Sequence, residues 1–403
     1  VTLNAPLANA HSNNEWIGTE FVKEVWFPDV ALDNIFWHDH VDGIHNWGHG
    51  LVGQLVIEPK GSTYHDPVTG APADSGALVD IRTNNALIPG VVEGSFREFV
   101  LWTIDQNPTT DSTVNLKAEP LSDRRAVDPD PSLLYSSYRH GDPYTAIPRA
   151  YAGDPFVIRT INVSPGVDTL KIDGHRTYLE SRAKDSAGNT AASPTSAILY
   201  GISERFTLAL QGGAGGPKKV PGDYLYTNGI GRRIEHGAWG LIRVLPARHD
   251  ATMPVPLQPL PGHPLPDGLI DLPQQTGGRP PVAATTGEPC PVGAPQKLFR
   301  VSAVDVPGGV IGRTLAYVPT PDAGAVIAGT KVPQPYVAHV AAGDCVTVEF
   351  INQLAVGRAS FHVDKLLRDT RSSGINIGFN PEQSLAPGAA KNYRFYVDDS
   401  KLG

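Results

Sequence analysis

Two histidines on alternate residues, His38 and His40, are the clearest chemical feature of this chain of 403 residues. They lie in the segment Phe36-Trp-His-Asp-His40, whose composition is typical of a β-strand. Alternate residues of a strand share a face, so both imidazoles can turn toward one site. Imidazole nitrogen binds copper, zinc, iron and nickel, and we expect Phe36 and Trp37 to give such a site a water-poor wall. The segment therefore predicts a metal site.

Two more histidines, His45 and His49, follow closely, so that four of the thirteen histidines lie within twelve residues. This concentration favours a metal site over a chance pair of surface histidines. The spacing alone leaves three roles open for His45 and His49: extra ligands, neighbours that hold the ligands in place, or exposed loop residues.

The composition predicts an all-β protein. The chain holds 42 Gly and 37 Pro, and its short apolar runs are separated by turn-forming residues. A net charge of −8 provides no basic face for nucleic acid. No run approaches the roughly 20 apolar residues that cross a bilayer, so no membrane span is predicted.

Internal repeats predict several domains of one architecture. Residues 152–162 align without gaps on residues 342–352, and residues 49–59 align on residues 236–246. The first match is a Gly-Asp turn followed by an alternating strand that ends in Asn. The second match is a strand that ends in Pro.

These matches divide the chain into three units and two connections. Residues 1–60 are predicted to be the C-terminal part of one domain, residues 95–248 a complete second domain, and residues 296–403 the N-terminal part of a third. Residues 60–94 are predicted to form a loop, and residues 249–295 a Pro-rich linker. Because the first and third units lack their other halves, we expect this chain to be an internal piece of a longer polypeptide.

The only two cysteines are Cys290, in the Pro-rich linker, and Cys345, in a predicted strand. Two cysteines are too few for a disulfide framework. One disulfide or two free thiols are both compatible with the sequence.

These residues resemble the multicopper oxidases, a family built from cupredoxin repeats that includes laccases, ceruloplasmin and bacterial manganese oxidases. Phe36-Trp-His-Asp-His40 with Gly50-Leu-Val-Gly53 resembles the family's His-x-His motif and its closing strand. Gly378-Phe-Asn-Pro-Glu-Gln-Ser-Leu-Ala-Pro-Gly388 and Tyr393-Arg-Phe-Tyr396 resemble its Ala-Pro-Gly turn and aromatic strand. The resemblance is greatest to large members of the manganese-oxidase type. It implies tandem cupredoxin-like Greek-key β-sandwiches and a secreted, extracellular or periplasmic protein.

The resemblance also implies an activity. Such an enzyme takes single electrons from a metal ion or small organic substrate and reduces dioxygen to water at a trinuclear copper cluster. His38 and His40 would each bind one type 3 copper, while the missing flanking domains would supply the type 1 copper and the other histidine pairs. Asp39 stands where a type 1 domain would carry Cys. This piece alone is then expected to be inactive.

The remaining histidines depart from the family pattern. His362 takes the first place of a His-x-His pair whose second place is Asp364. A strand histidine with its hydrogen bonds satisfied is therefore favoured over a copper ligand at this position. His175 and His236 lack their companions and are predicted to be structural. Two alternatives stay open: a cupredoxin scaffold that has lost its copper, and a single-site metal-binding protein without oxidase activity.

Overall fold

The computed structural model describes residues 25–27, 34–107, 111–179, 194–246, 257–263, 288–308 and 312–398. Strands dominate these residues, and the described α-helices are four to seven residues long. None of these helices is long and apolar enough to cross a membrane. The predicted all-β fold class is confirmed.

The described strands are β1 (Asn34–His38), β2 (Val52–Val56), β3 (Thr63–His65), β4 (Leu78–Arg82), β5 (Phe96–Asn107), β6 (Asp111–Val114), β7 (Arg149–Tyr151), β8 (Phe156–Asn162), β9 (Asp168–Ile172), β10 (Thr177–Leu179), β11 (Ala197–Tyr200), β12 (Arg205–Leu210), β13 (Gly222–Thr227), β14 (Trp239–Leu245), β15 (Gln296–Val306), β16 (Thr314–Pro319), β17 (Cys345–Asn352) and β18 (Ala390–Tyr396). The described α-helices are α1 (Gly43–Gly48), α2 (Leu121–Val127), α3 (Ser137–His140), α4 (Gly231–Glu235) and α5 (Ala323–Ile327).

Two mixed sheets form a sandwich in the middle of the chain. One has the order β10-β12-β8-β5-β4-β3 with β6 beside β5, and the other has the order β11-β9-β13-β14-β7. The pairs β5–β8 and β7–β14 are parallel, and the other pairs are antiparallel. Their facing side chains form one core, which includes Phe99, Phe156, Leu208, Tyr224 and Ile242. This sandwich agrees with the predicted cupredoxin-like fold class.

The prediction of a loop over residues 60–94 was wrong. Strands β3 and β4 extend the first sheet, and Val79, Ile81 and Ile88 are buried in a core of their own. The sequence of β4 did not indicate a strand, because its central residue, Asp80, is polar and yet buried, at 1% exposure. The ion pair with Arg97 neutralises this carboxylate. The sheet therefore continues across the predicted boundary at residue 95, and the domain limits stay a prediction.

A third sheet, of order β16-β15-β17-β18, is built from the end of the chain. Strands β15 and β17 are parallel over eight residue pairs, and Phe350, Tyr393 and Phe395 fill its core. Ile377 shares a buried cluster with Trp239 of the sandwich. The third sheet is thus packed against the sandwich through the connection that leads to β18.

The first internal repeat has the same backbone in both copies. Gly153 and Gly343 adopt φ values of +92° and +90°, a region that glycine enters without strain. The carboxylates of Asp154 and Asp344 each accept the backbone N–H three residues earlier. Each Gly-Asp turn then leads into a strand that is parallel to an earlier strand of the same sheet: β8 is parallel to β5, and β17 is parallel to β15.

The second repeat also has the same local structure in both copies. The Trp37 ring lies against Gly53, and the Tyr226 side chain lies against Gly240. A Cβ added to Gly53 would come within 2.4 Å of Trp37, and one added to Gly240 within 2.1 Å of Tyr226. In both copies the aromatic residue and the glycine are cross-strand partners. The gapless alignment of the sequence therefore reproduces the observed register.

Cys290 and Cys345 form a disulfide with a Cα–Cα distance of 5.6 Å. This bond decides between the two possibilities that the sequence left open. It ties the segment before β15 to the first residue of β17, and Cys345 is fully buried.

Candidate metal centre

The hairpin of β1 and β2 positions His38 and His40. Strand β1 ends at His38, which pairs with Val52, and the Asp39 N–H donates to the Leu51 carbonyl. The two imidazole rings lie side by side, with centroids 5.5 Å apart and planes inclined by 30°. The structure therefore brings together the two histidines that the sequence pattern singled out.

A backbone hydrogen bond sets the tautomer of His38. Its Nδ1–H donates to the Asp39 carbonyl oxygen at 2.7 Å. This bond places the proton of the neutral ring on Nδ1 and leaves the lone pair of Nε2 free. The His38 side chain is half-buried while His40 is exposed, so a ligand can reach the pair from solvent.

Aromatic packing holds the His38 ring in place. Trp47, from α1, stacks on His38 at 4.7 Å with an interplanar angle of 10°, and Phe36 stacks on both rings at 5.6 Å. The prediction that Trp37 forms part of this wall was wrong, because alternation along the strand turns its ring to the other face, against Gly53. The sequence did not indicate Trp47 as part of the wall, because this residue reaches the strand only through the fold of α1.

Asp39 anchors the turn between the two histidines and α1. Its carboxylate accepts the Val41 and Asp42 backbone N–H groups at 3.1 Å each, and the Asn46 side chain at 2.9 Å. These bonds, that of Asn46 first, lower the pKa of Asp39. The carboxylate therefore stays ionised and committed to the turn that sets the direction of His40.

His45 and His49 form a second, exposed pair. They lie four residues apart at α1 and its C-terminal end, with ring centroids at 4.2 Å. The Nδ1–H of His49 donates to the His45 carbonyl at 2.7 Å, which leaves its Nε2 free. Residues four apart on a helix face can share a metal ion, so this pair is a second, solvent-facing candidate donor set.

His362 lies in another environment. Its Nδ1 is 2.5 Å from the Ser373 carbonyl, and its Nε2 is 3.0 Å from Asp364. The Nδ1–H thus donates to the Ser373 carbonyl, and Nε2 faces a carboxylate that is already committed to an ion pair with Lys171. We leave His362 out of the proposed ligand set on this ground.

The donors at the hairpin fit half of a metal site. Within the described ranges, the groups with three or more candidate ligand atoms within 4.8 Å are Asp173-His362-Asp364 and Glu288-Cys290-Cys345. The second is excluded by the disulfide. His38 and His40 supply two nitrogen donors of the kind that copper prefers, and a complete site needs ligands from beyond the described residues.

His175 is a structural histidine, as the sequence predicted. It is buried, its Nδ1–H donates to the Asp173 carbonyl, and its Nε2 accepts the Gly215 N–H at 3.0 Å. Both nitrogens are satisfied only in the neutral ring. Burial lowers the pKa of His175 to about 4.

This pKa predicts an acid-dependent loss of stability. The pKa of His175 is lower in the folded than in the unfolded chain, so its contribution is complete above pH 6.5 and is lost as the pH falls toward 4. The loss reaches about 3 kcal/mol. Urea unfolding measures the free energy of unfolding between pH 7 and pH 4.5. This free energy should depend less on pH for His175→Gln than for the unmodified chain. His339→Gln, which removes an exposed histidine, should keep the steep dependence, and equal slopes for all three would contradict the assignment.

Neither a protein-family model nor a curated protein sequence matches this chain. Solved structures of copper proteins are similar to it at low identity. The blue copper oxidase from Nitrosomonas europaea is 16% identical over 53% of this chain and 56% of its own, with a TM-score of 0.32. The laccase from Botrytis aclada is 14% identical over 90% and 64%, with a TM-score of 0.31. The copper-containing nitrite reductase from Thermus scotoductus is 15% identical over 92% and 74%, also with a TM-score of 0.31.

The chain spans 56% and 64% of the lengths of the first two proteins. Their names are those of a blue copper oxidase, a laccase and a copper-containing nitrite reductase, and none of the three is named a manganese oxidase. TM-scores of this size do not by themselves identify a common function. The functional assignment therefore rests on the residues of the hairpin.

Proposed function

We propose that this chain is part of a copper-dependent oxidoreductase and that His38 and His40 bind copper through their Nε2 atoms. The observation that carries this proposal is the placement of the two rings side by side, 5.5 Å apart, with Nδ1 of His38 held by the Asp39 carbonyl. Trp47 and Phe36 restrict the His38 ring and exclude water from one side of it. Such preorganisation lowers the cost of ordering the ligands.

The finer proposal is a multicopper oxidase. Copper held by these histidines would supply one-electron redox chemistry between a metal ion or small organic donor and dioxygen. In this proposal His38 and His40 are one of several histidine pairs of a trinuclear site, and the other pairs and a type 1 copper lie in further domains. The Cys290–Cys345 disulfide supports an oxidising location, extracellular or periplasmic.

Copper titration of the purified chain tests the ligand assignment. The double variant His38→Ala/His40→Ala should weaken copper binding by about 100-fold or more, because both nitrogen donors are removed. Affinity can be measured by competition with a chelator of known copper affinity. Circular dichroism would establish that the fold is kept.

Three variants serve as controls. His339→Ala and His362→Gln should leave the high-affinity copper unchanged, and His45→Ala/His49→Ala should remove only weaker binding. Full retention of high-affinity copper in the His38/His40 variant would overturn the assignment. Oxygen uptake with Fe(II), Mn(II) or a phenol as donor, measured on the longest polypeptide that contains this chain, tests the oxidase proposal.

A copper-free scaffold is the second candidate, and one feature of the structure favours it. Lys171 and Asp173 of the sandwich face His362 and Asp364, at the positions that the repeat alignment matches. Lys171 bonds to Asp364 at 2.6 Å, and Arg368 bonds to Asp173 at 2.5 Å. Ion pairs thus hold these segments together without metal. Absence of both high-affinity copper and oxygen uptake in the longest polypeptide that contains this chain would support this candidate over the oxidase.

A further inference from the structure

The residues before the second Gly-Asp turn lack a partner that the matched residues of the sandwich have. In the sandwich, β7 leads into the first Gly-Asp turn and is parallel to β14. Extending the gapless repeat alignment toward the N-terminus places β7 opposite residues 339–341. Residues 339–341 are exposed, and no described strand pairs with them. This stretch of backbone is therefore an unpaired edge.

Two hydrogen bonds of the β7–β14 pair identify the backbone groups that such an edge uses. The Arg243 N–H donates to the Pro148 carbonyl at 2.8 Å, and the Ala152 N–H donates to the Leu245 carbonyl at 2.9 Å. They lie at the two ends of the parallel pairing. A strand that pairs with the second copy of this element should make the same two bonds.

At the second turn the matched groups are the Ala338 carbonyl and the Ala342 N–H. Neither bonds to another described residue. Val340 between them is 40% exposed, whereas the matched Ala150 is fully buried. The two Gly-Asp turns have the same side-chain hydrogen bond, so segment 338–342 enters its turn as β7 does. Exposed, unpaired backbone groups of this kind are a template for an added strand.

The β1–β2 hairpin contains a strand that fits this edge. Residues 49–59 match residues 236–246, so β2 corresponds to β14 and β1 corresponds to β13. Strand β14 pairs with β13 on one edge and with β7 on the other, while β2 pairs with β1 alone among the described strands. The hairpin and segment 338–342 thus each carry the half of this pairing that the other lacks.

The two halves lie against different sheets of one sandwich. The hairpin packs on the first sheet, where Trp47 shares a buried cluster with Ile161 of β8. The unit that carries segment 338–342 is packed against the second sheet, where the Asp223 N–H of β13 donates to Asn380 at 2.8 Å. Within one chain the described hairpin does not pair with this segment. A second copy can supply the strand that the first does not.

We propose that segment 338–342 binds β2 of a second copy of this chain, with the two residues that follow β2, as a parallel strand. The repeat alignment sets the register. The Val56 N–H would donate to the Ala338 carbonyl, and the Ala342 N–H would donate to the Glu58 carbonyl. Because two different surfaces meet, the contact is head-to-tail and can continue from copy to copy. The proposal is independent of copper binding.

The molar mass of the chain, measured by light scattering over a range of protein concentrations, tests this proposal. A chelator is included, because metal ions bound by exposed histidines would also join two chains. The mass should rise above that of one chain as the concentration increases. A synthetic peptide of residues 49–60 should lower it again, because the peptide competes with β2 for segment 338–342.

Two variants place the contact at this edge. Ala342→Pro removes the N–H but suits the turn, because the Asp344 N–H donates to the Ala341 carbonyl at 3.1 Å and Gly343 has a φ of +90°. Val340→Lys puts a charge where the matched Ala150 is buried. Each variant should weaken association by about 10-fold or more. Circular dichroism establishes that each variant keeps its fold.

Val356→Lys is the matched control, because Val356 is 62% exposed and lies outside segment 338–342 and β2. It should leave association unchanged. A chain that stays monomeric at every concentration would overturn the proposal even if the peptide binds, since the occupant would then be a strand of another polypeptide. Association that Ala342→Pro and Val340→Lys leave unchanged would also overturn it, because another surface would then make the contact.

Discussion

Replacing Arg97 by methionine is expected to lower the free energy of unfolding by about 3–5 kcal/mol, because it leaves two buried carboxylates without their cation. The Arg97 side chain is fully buried. It donates two hydrogen bonds to Asp80, one to Asp154 at 2.6 Å and one to the Gln258 carbonyl at 2.7 Å. One guanidinium thus joins β4, β5, the repeated Gly-Asp turn and the segment 257–263. Urea unfolding at pH 7 measures the loss.

The pH dependence of this variant provides an internal check. Burial raises the pKa of Asp80 to about 6 even beside Arg97, and removal of the cation raises that pKa further. Because the pKa of Asp80 is higher in the folded variant than in its unfolded chain, the free energy of unfolding recovers as the pH falls. The loss of stability in Arg97→Met, relative to the unmodified chain, should therefore shrink between pH 7 and pH 5. Arg300→Met is the control, because its pair with Glu349 is 62% and 40% exposed and should contribute far less. A deficit that grows on acidification would contradict the account.

Removing the disulfide by Cys290→Ala/Cys345→Ala is expected to cost about 4 kcal/mol in the chain-entropy model, because the bond closes a loop of 55 residues. This loop contains β15 and β16. The loss should therefore fall on the third sheet, where hydrogen exchange of the β15 and β17 amides should become faster.

Reduction of the unmodified chain is the control for this prediction. A thiol reductant should reproduce the faster exchange of the third sheet, and it should have no further effect on the double alanine variant. Protection of the first sheet around β5 and β8 should change little. Unchanged stability in the double variant would show that the loop is already constrained in the unfolded chain.

The repeats explain how one sequence pattern can serve both chemistry and structure. His38 and Thr227 hold matched positions, each directly before the turn that leads to a short helix. Asp39 and Asn228 also match, and both side chains accept backbone N–H groups of the following turn. The turn is thus kept in both copies while the imidazoles are present in only one. We therefore expect the fold to tolerate substitution of His38 and His40, so that such variants test the proposed metal binding.

Local periodicity determined much of this protein from sequence. Alternation along a strand predicted that the rings of His38 and His40 lie close together, as they do, and the Gly-Asp turn and the glycines before the closing strands predicted the repeated elements. These features depend on residues close in the chain, whose geometry follows from backbone preferences. The all-β class followed in the same way from composition.

Only the tertiary structure decided which distant side chains meet. Trp47 rather than Trp37 stacks on His38, Asp364 and Ser373 occupy the nitrogens of His362, and Cys290 bonds to Cys345. The buried Arg97 network also joins segments far apart in the chain. Such contacts depend on how sheets pack, and no spacing in the sequence records that packing.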